Sequence, residues 1–373
     1  MEQKYINFVV GSIDFLSYFI PIVLRANKYN IQSIFFIRKN RKDYADLFLQ
    51  HNYDVLKKYS KTYNIQIKNV KEILNYPGIT FLMEGDIIGN SQKDIDMSGL
   101  NYLNHTHTKV SIIYNCDFIW TYSKYLKRVD YILFPNKIYS ETYNKISPRN
   151  IFLGSPKYDV SLSKSNIYRK YNLDPNKKYV ILFYPKFKWR HPHEGKHSCK
   201  IYNIISPKTD ITETQYFKNI YIYLKKLGYF IIVKTRNKDP VNDEILRGDK
   251  YIDSNKQYHP NPSLELLTIS DLAIFFSSTT VEECIMTKTP FIDFKLDCHF
   301  KFQNRYQFLY NNNVSSLQNS LDITFEQFSK IINHLTNIST LKNRSKTFSH
   351  IISKYMFPKK DISYKILKHF SII

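Results

Sequence analysis

Continuous apolar runs alternate with helix-like stretches along the chain, and this alternation limits the fold more than any other feature. Strands are predicted at residues 5–10, 31–37, 78–84, 129–136, 150–156, 178–186, 229–235, 271–276 and 290–294. Apolar strands that alternate with helices are typical of βαβ units, in which helices cover both faces of a parallel sheet. The chain is therefore predicted to be an α/β protein.

The alternation stops at a polar stretch, residues 161–178, and then starts again. A length of 373 residues fits two domains of ordinary size. We therefore expect a first domain at 1–162 and a second at 163–373. Glycine is scarce, yet Gly11, Gly85 and Gly154 each lie at the carboxyl end of a predicted strand, at the edge where open α/β sheets bind ligands.

The chain is strongly basic, with 54 Lys and Arg against 32 Asp and Glu and a net charge of +22. This charge favours an anionic partner, such as nucleic acid, a membrane surface or a phosphorylated substrate. A lysine-rich and asparagine-rich composition from an AT-rich genome explains the charge as well. Scattered cysteines without a CxxC pair favour a reducing compartment. No signal peptide or spanning segment is recognised, so the expected location is cytoplasmic or peripheral to a membrane.

The stretch FFSSTTVEECIMTKTPFIDF places four hydroxyl residues between a predicted strand and two glutamates. The hydroxyl residues are Ser277, Ser278, Thr279 and Thr280. They would form the start of a helix at the carboxyl edge of the sheet, where free N–H groups bind an anion such as a diphosphate. Either Glu282 or Glu283 would then bind ribose hydroxyls while the other faces solvent. The alternative is a well-capped helix without a ligand.

The same stretch resembles the C-terminal nucleotide-binding motif of GT-B fold enzymes. Its pattern is similar to the nonhydrolysing UDP-N-acetylglucosamine 2-epimerases and the CDP-glycerol glycerophosphotransferases. Ser277, Glu282, Glu283 and Pro290 are in register with the Ser-Gly-Gly, Glu-Glu and Gly-Lys-Pro of the epimerases. Ser278-Thr279 replaces the Gly-Gly pair, and Lys288-Thr289 replaces the Gly-Lys pair.

Further matches follow in family order from residue 132 to the end. Residues 132–159 resemble the segment that closes the first domain, with Gly154, Pro156 and Asp159 kept. Residues 178–189 resemble the strand that opens the second domain. The resemblance implies two Rossmann-like domains with parallel sheets that face each other across a cleft. It also implies an acceptor-side first domain and a nucleotide-donor second domain.

Basic side chains at predicted strand ends are candidates to neutralise the donor diphosphate. They are Lys186, Lys188, Lys234 and Arg236, the last of which stands where the resembled families have a histidine. No metal is expected, because the one DxD match, at residues 94–96, lies in a polar loop. The alternative is that these are ordinary solvated basic residues.

Glu84 is the first candidate for the general base that activates an acceptor hydroxyl, and Asp86 is the second. Their position resembles the His-Gly-Thr catalytic loop of the glycerophosphotransferases. The alternative is a Glu-Gly-Asp turn with solvated acids. Gly11, Ser12 and Asp14 follow the first strand and are expected on the acceptor side, although Asp14 could simply cap the next helix.

These features favour a metal-independent glycosyltransferase, or a related glycerophosphotransferase, that modifies a surface or secreted-type glycan. The donor would be a nucleotide-diphosphate sugar, with a UDP-sugar favoured and no further cofactor. The acceptor could lie at an anionic membrane surface, and no specific nucleic-acid partner is expected. The alternatives are a UDP-sugar 2-epimerase, a non-catalytic GT-B domain and a basic nucleic-acid-binding protein. The His-x-His stretches at 104–108 and 191–197 are expected to be polar loops without zinc.

Overall fold

The computed structural model describes most of the two predicted α/β halves. The described residues are 5–11, 13–37, 45–83, 99–113, 128–137, 149–183, 213–235, 247–253, 257–276, 278, 280–294, 315–318, 324–336, 346–353 and 360–373; at 45–52, 99, 213–217, 276 and 316–318 this covers the backbone alone. Among these residues the helices with both ends described are α1 (Leu16–Asn27), α2 (Ala45–Tyr63), α3 (Lys164–Tyr171), α4 (Glu213–Lys226), α5 (Pro262–Ile269), α6 (Thr280–Thr287), α7 (Phe325–Thr336) and α8 (Ile362–His369), and residues 346–353 are helical as well. Within this described part, no helix has the length and apolarity that crossing a bilayer requires.

The chain separates into two compact units. Unit 1 contains Met1–Ser161, Tyr258–Asn261 and Tyr355–Ile373, and unit 2 contains Leu162–Gln257 and Pro262–Lys354. The sequence-based boundary at 162/163 lies next to the first of these divisions. It assigns the last residues to the second domain, whereas the structure has them in unit 1. The physical reason is that Ile362, Ile366 and Leu367 of α8 are buried in the same apolar cluster as α1.

The sheet of unit 1 has seven strands in the part of the chain that the structure describes. They are β1 (Tyr5–Val10), β2 (Gln32–Ile37), β3 (Ile65–Asn69), β4 (Gly78–Met83), β5 (His107–Ile112), β6 (Tyr131–Phe134) and β7 (Asn150–Phe152). Their order is β3-β2-β1-β4-β5-β6-β7, and every pairing is parallel. This is a doubly wound order, which reverses direction between β1 and β4.

An aromatic cluster forms the centre of the core of unit 1. The ring of Phe8 on β1 lies 5.1 Å from that of Phe19 on α1, 5.3 Å from Phe35 on β2 and 5.4 Å from Phe81 on β4, measured between centroids. All four side chains are fully buried. Aromatic pairs at these separations add to the stability that burial of their surface provides. The cluster therefore fixes α1 against the two strands that flank the switch point.

The sheet of unit 2 has six strands among the described residues. They are β8 (Tyr179–Phe183), β9 (Phe230–Lys234), β10 (Lys250–Ile252), β11 (Leu272–Phe276), β12 (Phe291–Phe294) and β13 (Ser315–Gln318). Their order is β10-β9-β8-β11-β12-β13, again wholly parallel and doubly wound. Two parallel sheets covered by helices confirm the α/β fold class.

A buried carboxylate holds α3 against α5 in unit 2. Glu265 on α5 accepts hydrogen bonds from Lys170 Nζ at 2.5 Å, from the Tyr171 hydroxyl at 2.7 Å and from Gln257 Nε2 at 3.2 Å. Its side chain is 7% exposed, so these partners replace the water that the carboxylate has lost. Burial, with Glu265 alongside, raises the pKa of the Tyr171 phenol. The contact fixes α3, which lies within the polar stretch 161–178 between the two predicted halves.

We expect Ile366→Ala to destabilise unit 1 selectively. The side chain is fully buried in the cluster of unit 1, and truncation of such a residue typically costs about 2–5 kcal/mol. Hydrogen exchange measured by mass spectrometry should become faster in β1 and β4 and remain unchanged in β8 and β11.

Leu335→Ala is the matched control, because Leu335 is equally buried in the cluster of unit 2. It should accelerate exchange in β8 and β11 instead. Unchanged exchange of β1 in Ile366→Ala would contradict the assignment of the C-terminal helix to unit 1.

Candidate functional site

The strand order of unit 2 sets the position of the candidate nucleotide site. Strands β9 and β10 lie on one side of β8 in the sheet. Strands β11, β12 and β13, which come later in the sequence, lie on the other side. The helices that follow β8 and β11 therefore leave the sheet towards opposite faces. A crevice opens at the carboxyl ends of such a strand pair, and open α/β sheets bind their ligands there. Helix α6 begins directly after β11, so its N-terminus lies at this switch point.

Hydroxyl groups surround the first turn of α6. Ser278 Oγ accepts a hydrogen bond from the Thr280 backbone N–H at 3.3 Å and lies 2.8 Å from Thr280 Oγ1. Thr280 is buried, and Ser278 is partly exposed. The free N–H groups of this turn carry the positive end of the helix dipole. The expected helix start at these hydroxyls is present at Ser278 and Thr280, while Ser277 and Thr279 lie outside the described residues.

Both glutamates of the first turn are buried, so the expectation that one faces solvent is wrong. Glu282 is 6% exposed and Glu283 is 7% exposed. The physical reason is that the first six residues of α6, from Thr280 to Ile285, are all buried. Burial raises the pKa of the Cys284 thiol, and the carboxylates of Glu283 and Asp293 raise it further. The ribose role of either glutamate stays a prediction.

Lys234 is the described member of the predicted basic set. It is the last residue of β9, is 7% exposed, and its Nζ donates to the Thr235 carbonyl at 3.4 Å. Strand β9 is two positions from β11, or roughly 10 Å at the usual spacing of strands. Lys186, Lys188 and Arg236 lie outside the described residues. The role of the basic set in binding a diphosphate stays a prediction.

The residue directly after α6 is a lysine in a conformation that glycine normally adopts. Lys288 has a φ of 59°, and its N–H donates to the Ile285 carbonyl at 3.2 Å. The next residue, Thr289, donates its N–H to the Cys284 carbonyl at 2.8 Å and its hydroxyl to the Leu267 carbonyl at 2.7 Å. The left-handed residue that ends a helix is usually glycine. Lys288 stands where the resembled epimerases have glycine.

The acceptor-side candidates lie at the switch point of unit 1. Gly11 directly follows β1, and Asp14 lies in the 3-10 turn Ile13–Phe15 with its side chain exposed. The N-cap of α1 is Phe15, so the alternative that Asp14 caps this helix is wrong. The Asp14 carbonyl accepts a hydrogen bond from Ser17 Oγ at 2.8 Å instead. Strand β4 ends at Met83, and Ser12, Glu84 and Asp86 lie outside the described residues.

Sequence reasoning missed two residues that belong to unit 1, Tyr258 and His259. They belong to unit 1, although the chain before and after them belongs to unit 2. Both backbone N–H groups donate to the hydroxyl of Tyr59 on α2 at 2.9 Å, and that hydroxyl is 3.4 Å from the His259 carbonyl. The only sequence signal is the HPNP stretch, whose prolines indicate a loop and say nothing about its destination.

The surroundings of Tyr258 and His259 shift the pKa values of both side chains. Burial raises the pKa of the Tyr258 phenol, and Asp14 and Tyr59 add to this effect. Burial lowers the pKa of the His259 imidazole to about 4, against a smaller opposing effect of the Asp159 carboxylate. At neutral pH the phenol is protonated and the imidazole is uncharged. The pair can therefore donate and accept hydrogen bonds without carrying charge.

The His-x-His stretch at 104–108 differs from the expected polar loop. His107 is the first residue of β5, is 2% exposed, and its Nδ1 lies 3.2 Å from Thr80 Oγ1. Burial and then Lys109 lower its pKa, so the ring is a neutral part of the sheet. Among the described residues, no group of three or more His, Cys, Asp or Glu side chains is arranged to hold a metal ion. The stretch at 191–197 and the DxD match lie outside them.

Solved structures match almost the whole length of the chain. The wall teichoic acid polymerase TagF matches with a TM-score of 0.59 at 13% identity, over 99% of this chain and 88% of that chain. The Anabaena protein HepE, solved in complex with UDP and glucose, matches with a TM-score of 0.52 at 11% identity, over 99% of this chain and 100% of that chain. A Listeria monocytogenes structure assigned as a UDP-N-acetylglucosamine 2-epimerase matches with a TM-score of 0.55 at 11% identity, over 98% of this chain and 95% of that chain.

The chain has the GT-B fold. At these identities the likeness establishes the fold alone. No protein-family model matches the sequence, and no curated protein matches it either. The GT-B fold agrees with the group of enzymes that the sequence motifs resemble. It is also consistent with two doubly wound parallel sheets, each with its own switch point.

We expect Lys288→Gly to stabilise the protein, because a left-handed backbone costs a residue with a Cβ roughly 1–2 kcal/mol that glycine avoids. The free energy of unfolding, measured by urea denaturation, should rise by about 1 kcal/mol.

Lys58→Gly provides the control, since Lys58 is exposed in the interior of the regular helix α2. That variant should lose about 1 kcal/mol, the usual cost of glycine in a helix interior. If both substitutions destabilise the protein to the same extent, the assignment of Lys288 to a glycine-type position is incorrect.

Proposed function

We propose that this chain is a metal-independent transferase of the GT-B fold that uses a nucleotide-diphosphate sugar as donor. Unit 2 would bind the donor, and unit 1 would bind a glycan acceptor. The observation that carries the proposal is the hydroxyl-rich start of α6 at the switch point of unit 2, with Glu282 buried in the first turn of the helix. That HepE was solved with UDP and glucose supports the same class of donor.

The proposed chemistry follows from the electrostatics of this helix start. Transfer of the sugar leaves negative charge on the departing diphosphate, and preorganised N–H and O–H donors stabilise such developing charge. Ser278, Thr280 and the first backbone N–H groups of α6 would be these donors, with Lys234 and the other basic candidates adding positive charge. Glu84 is the first candidate for the base on the acceptor hydroxyl, and Asp86 is the second.

The acceptor would be a glycan of the surface or secreted type, modified on the cytoplasmic side of a membrane. A net charge of +22 favours residence of the protein at an anionic surface. TagF, a wall teichoic acid polymerase by name, is one of the matched structures and supports this class of acceptor.

The double variant Ser278→Ala/Thr280→Val should bind UDP more weakly by about 1–3 kcal/mol, as expected for hydrogen bonds lost to a charged ligand. Isothermal titration calorimetry with UDP, CDP and GDP measures this loss.

Thr287→Val is the matched control on the same helix. Its hydroxyl donates to the Glu283 carbonyl at 2.8 Å, at the end opposite to the proposed site. Its affinity for UDP should equal that of the wild type. Full affinity in the folded double variant would exclude this helix start as the diphosphate site. The absence of nucleotide binding by the wild type would exclude a nucleotide-dependent transferase altogether.

A UDP-sugar 2-epimerase is the second candidate, favoured by the adjacent Glu282 and Glu283 and by the matched Listeria structure. The two reactions differ at C2 of the sugar, because an epimerase must remove the C2 proton. We expect no deuterium at C2 when the wild-type protein is incubated with UDP-N-acetylglucosamine in D2O and analysed by NMR. Incorporation of deuterium at C2 would establish the epimerase and overturn the transferase.

A further inference from the structure

Helix α8 has one buried side and one side that faces away from the core of unit 1. The buried residues of the helix are Ile362, Ser363, Ile366 and Leu367. Lys365 and Lys368 are exposed, and Tyr364 is partly exposed. Lys368 comes four residues after Tyr364 and three after Lys365, and residues at these spacings lie on the same side of a helix. The outer side of α8 therefore presents one tyrosine and two lysines.

The end of α1 lies against this outer side of α8. The guanidinium carbon of Arg25 lies 5.7 Å from the centroid of the Tyr364 ring, and the ring centroids of Tyr29 and Tyr364 lie 6.5 Å apart. Arg25 Nη2 also donates a hydrogen bond to Asp361 Oδ1 at 2.8 Å. Tyr29 is 45% exposed, and Lys28 beside it is exposed as well. These contacts join the two helix surfaces into one.

We call this joined surface the basic tyrosine patch. Its members are Arg25, Lys28, Tyr29, Tyr364, Lys365 and Lys368. A cation beside an aromatic face is attracted by the ring, so the contact between Arg25 and Tyr364 helps to hold the two helices together. The three lysines are then free to meet a partner outside the unit.

Positive charge predominates in the two stretches of sequence that form the patch. Residues 25–30 contain Arg25 and Lys28 and no acidic residue. Tyr355–Ile373 contains four lysines and one acidic residue, Asp361. This count covers every residue of both stretches, including 355–359, which lie outside the described residues. Because Arg25 pairs with Asp361, the remaining charge of the two stretches is that of lysines.

The α1 part of the patch lies at the amino edge of the sheet of unit 1. Lys28 and Tyr29 come just before β2, which begins at Gln32. All pairings in this sheet are parallel, so the amino ends of its strands share one edge. Gly11 and Asp14 follow the carboxyl end of β1, at the opposite edge. A partner that contacts Lys28 and Tyr29 therefore leaves the expected acceptor side uncovered.

The chemistry of the patch fits an anionic lipid surface. Lysines near a bilayer are attracted to anionic headgroups, and tyrosine suits the interface because its ring is apolar and its hydroxyl is polar. The apolar side chains of α8 are buried in the core of unit 1, so this helix does not insert into the bilayer. The contact is made at the level of the headgroups.

We propose that the basic tyrosine patch docks unit 1 on an anionic lipid surface. The proposal rests on the proposed function and deepens it, because it names the surface by which a transferase for a surface glycan reaches its membrane. The lysines supply the attraction to the headgroups, and Tyr29 supplies the interfacial contact.

Co-sedimentation of the full-length protein with lipid vesicles tests the proposal. The probes are vesicles of phosphatidylcholine alone and of phosphatidylcholine with an equal amount of phosphatidylglycerol. We expect the protein to sediment with the anionic vesicles only, and added salt to release it, because salt screens the attraction between exposed charges. Amide hydrogen exchange on these vesicles should become slower in residues 25–30 and in α8 and stay unchanged in α3.

Matched variants separate this patch from the general positive charge of the protein. Lys365→Gln/Lys368→Gln should weaken vesicle binding about fivefold for each lysine removed. Lys164→Gln/Lys178→Gln removes the same charge from exposed positions of unit 2 and should bind as the wild type does. Thermal unfolding should be unchanged in both double variants, because all four side chains are exposed.

The tyrosine contribution has its own matched pair. Tyr29→Ser should weaken vesicle binding about fivefold, because an exposed ring that contacts the interface is lost. Tyr53→Ser is the control, since Tyr53 is also exposed, at 36%, but lies ten residues before the end of α2, or roughly 15 Å along the helix. Its vesicle binding should equal that of the wild type.

Three results would overturn the proposal. The first is that the wild type does not sediment with the anionic vesicles, and the second is that both double variants lose the same affinity. The third is that single-stranded RNA binds in dependence on Lys365 and Lys368 while vesicles do not, which would assign the patch to nucleic acid.

Calorimetry with UDP tests the transferase separately. If vesicles bind through the patch and UDP does not bind, the docking surface stands and the proposed transferase fails. If UDP binds and vesicles do not, the docking surface fails and the transferase stands.

Discussion

Parallel pairing of β8 with β11 determines what the rest of unit 2 can do. Parallel strands cannot be joined by a tight turn, so each strand must be followed by a crossover and every strand points to the same edge. Where the winding reverses, the following helices depart on opposite sides and leave the strand ends uncovered. Helix α6 starts at that point, so its hydroxyl groups lie at the uncovered strand ends. The same pairing of β1 with β4 in unit 1 explains why Gly11 and Asp14 lie at an edge and not inside the core.

The sequence was most informative where the chain is uniformly apolar. The run at residues 5–10 predicts β1 with both of its ends, and the runs at 271–276 and 290–294 predict β11 and β12 to within one residue. Strands β3, β10 and β13 were missed because they lie at sheet edges and contain polar residues such as Gln66, Lys250 and Gln318. Strand β5 was missed because His107 and Lys109 interrupt its apolar pattern. These strands owe their conformation to neighbours that are distant in sequence, which local composition does not report.

In the candidate site too, the features that depend on adjacent residues could be predicted from the sequence, and those that depend on distant parts of the chain could not. Ser278 and Thr280 could be predicted because helix starts depend on side chains that bond to the adjacent backbone. The burial of both Glu282 and Glu283 could not, since it depends on the elements packed around α6. The presence of His259 in unit 1 could not be predicted either, because its anchor, Tyr59, is 200 residues away. The backbone of Lys288 is an intermediate case. The sequence showed that Lys288 aligns with a glycine of the resembled epimerases, and the structure shows the left-handed conformation that favours glycine at this position.

Most of unit 1 is synthesised first, but unit 1 can be completed only after residues 258–261 and 355–373 have been made. Its first strands leave the ribosome early, but Tyr59 needs residues 258 and 259, and Arg25 on α1 pairs with Asp361 at the start of α8, 336 residues away. Unit 2 lies within 162–354 and can close before unit 1 receives its last helix. The apolar side of α1 that α8 later covers is therefore exposed throughout elongation. Folding in the cell should depend on holding that surface apart from other nascent chains until residue 372 is available to bury it.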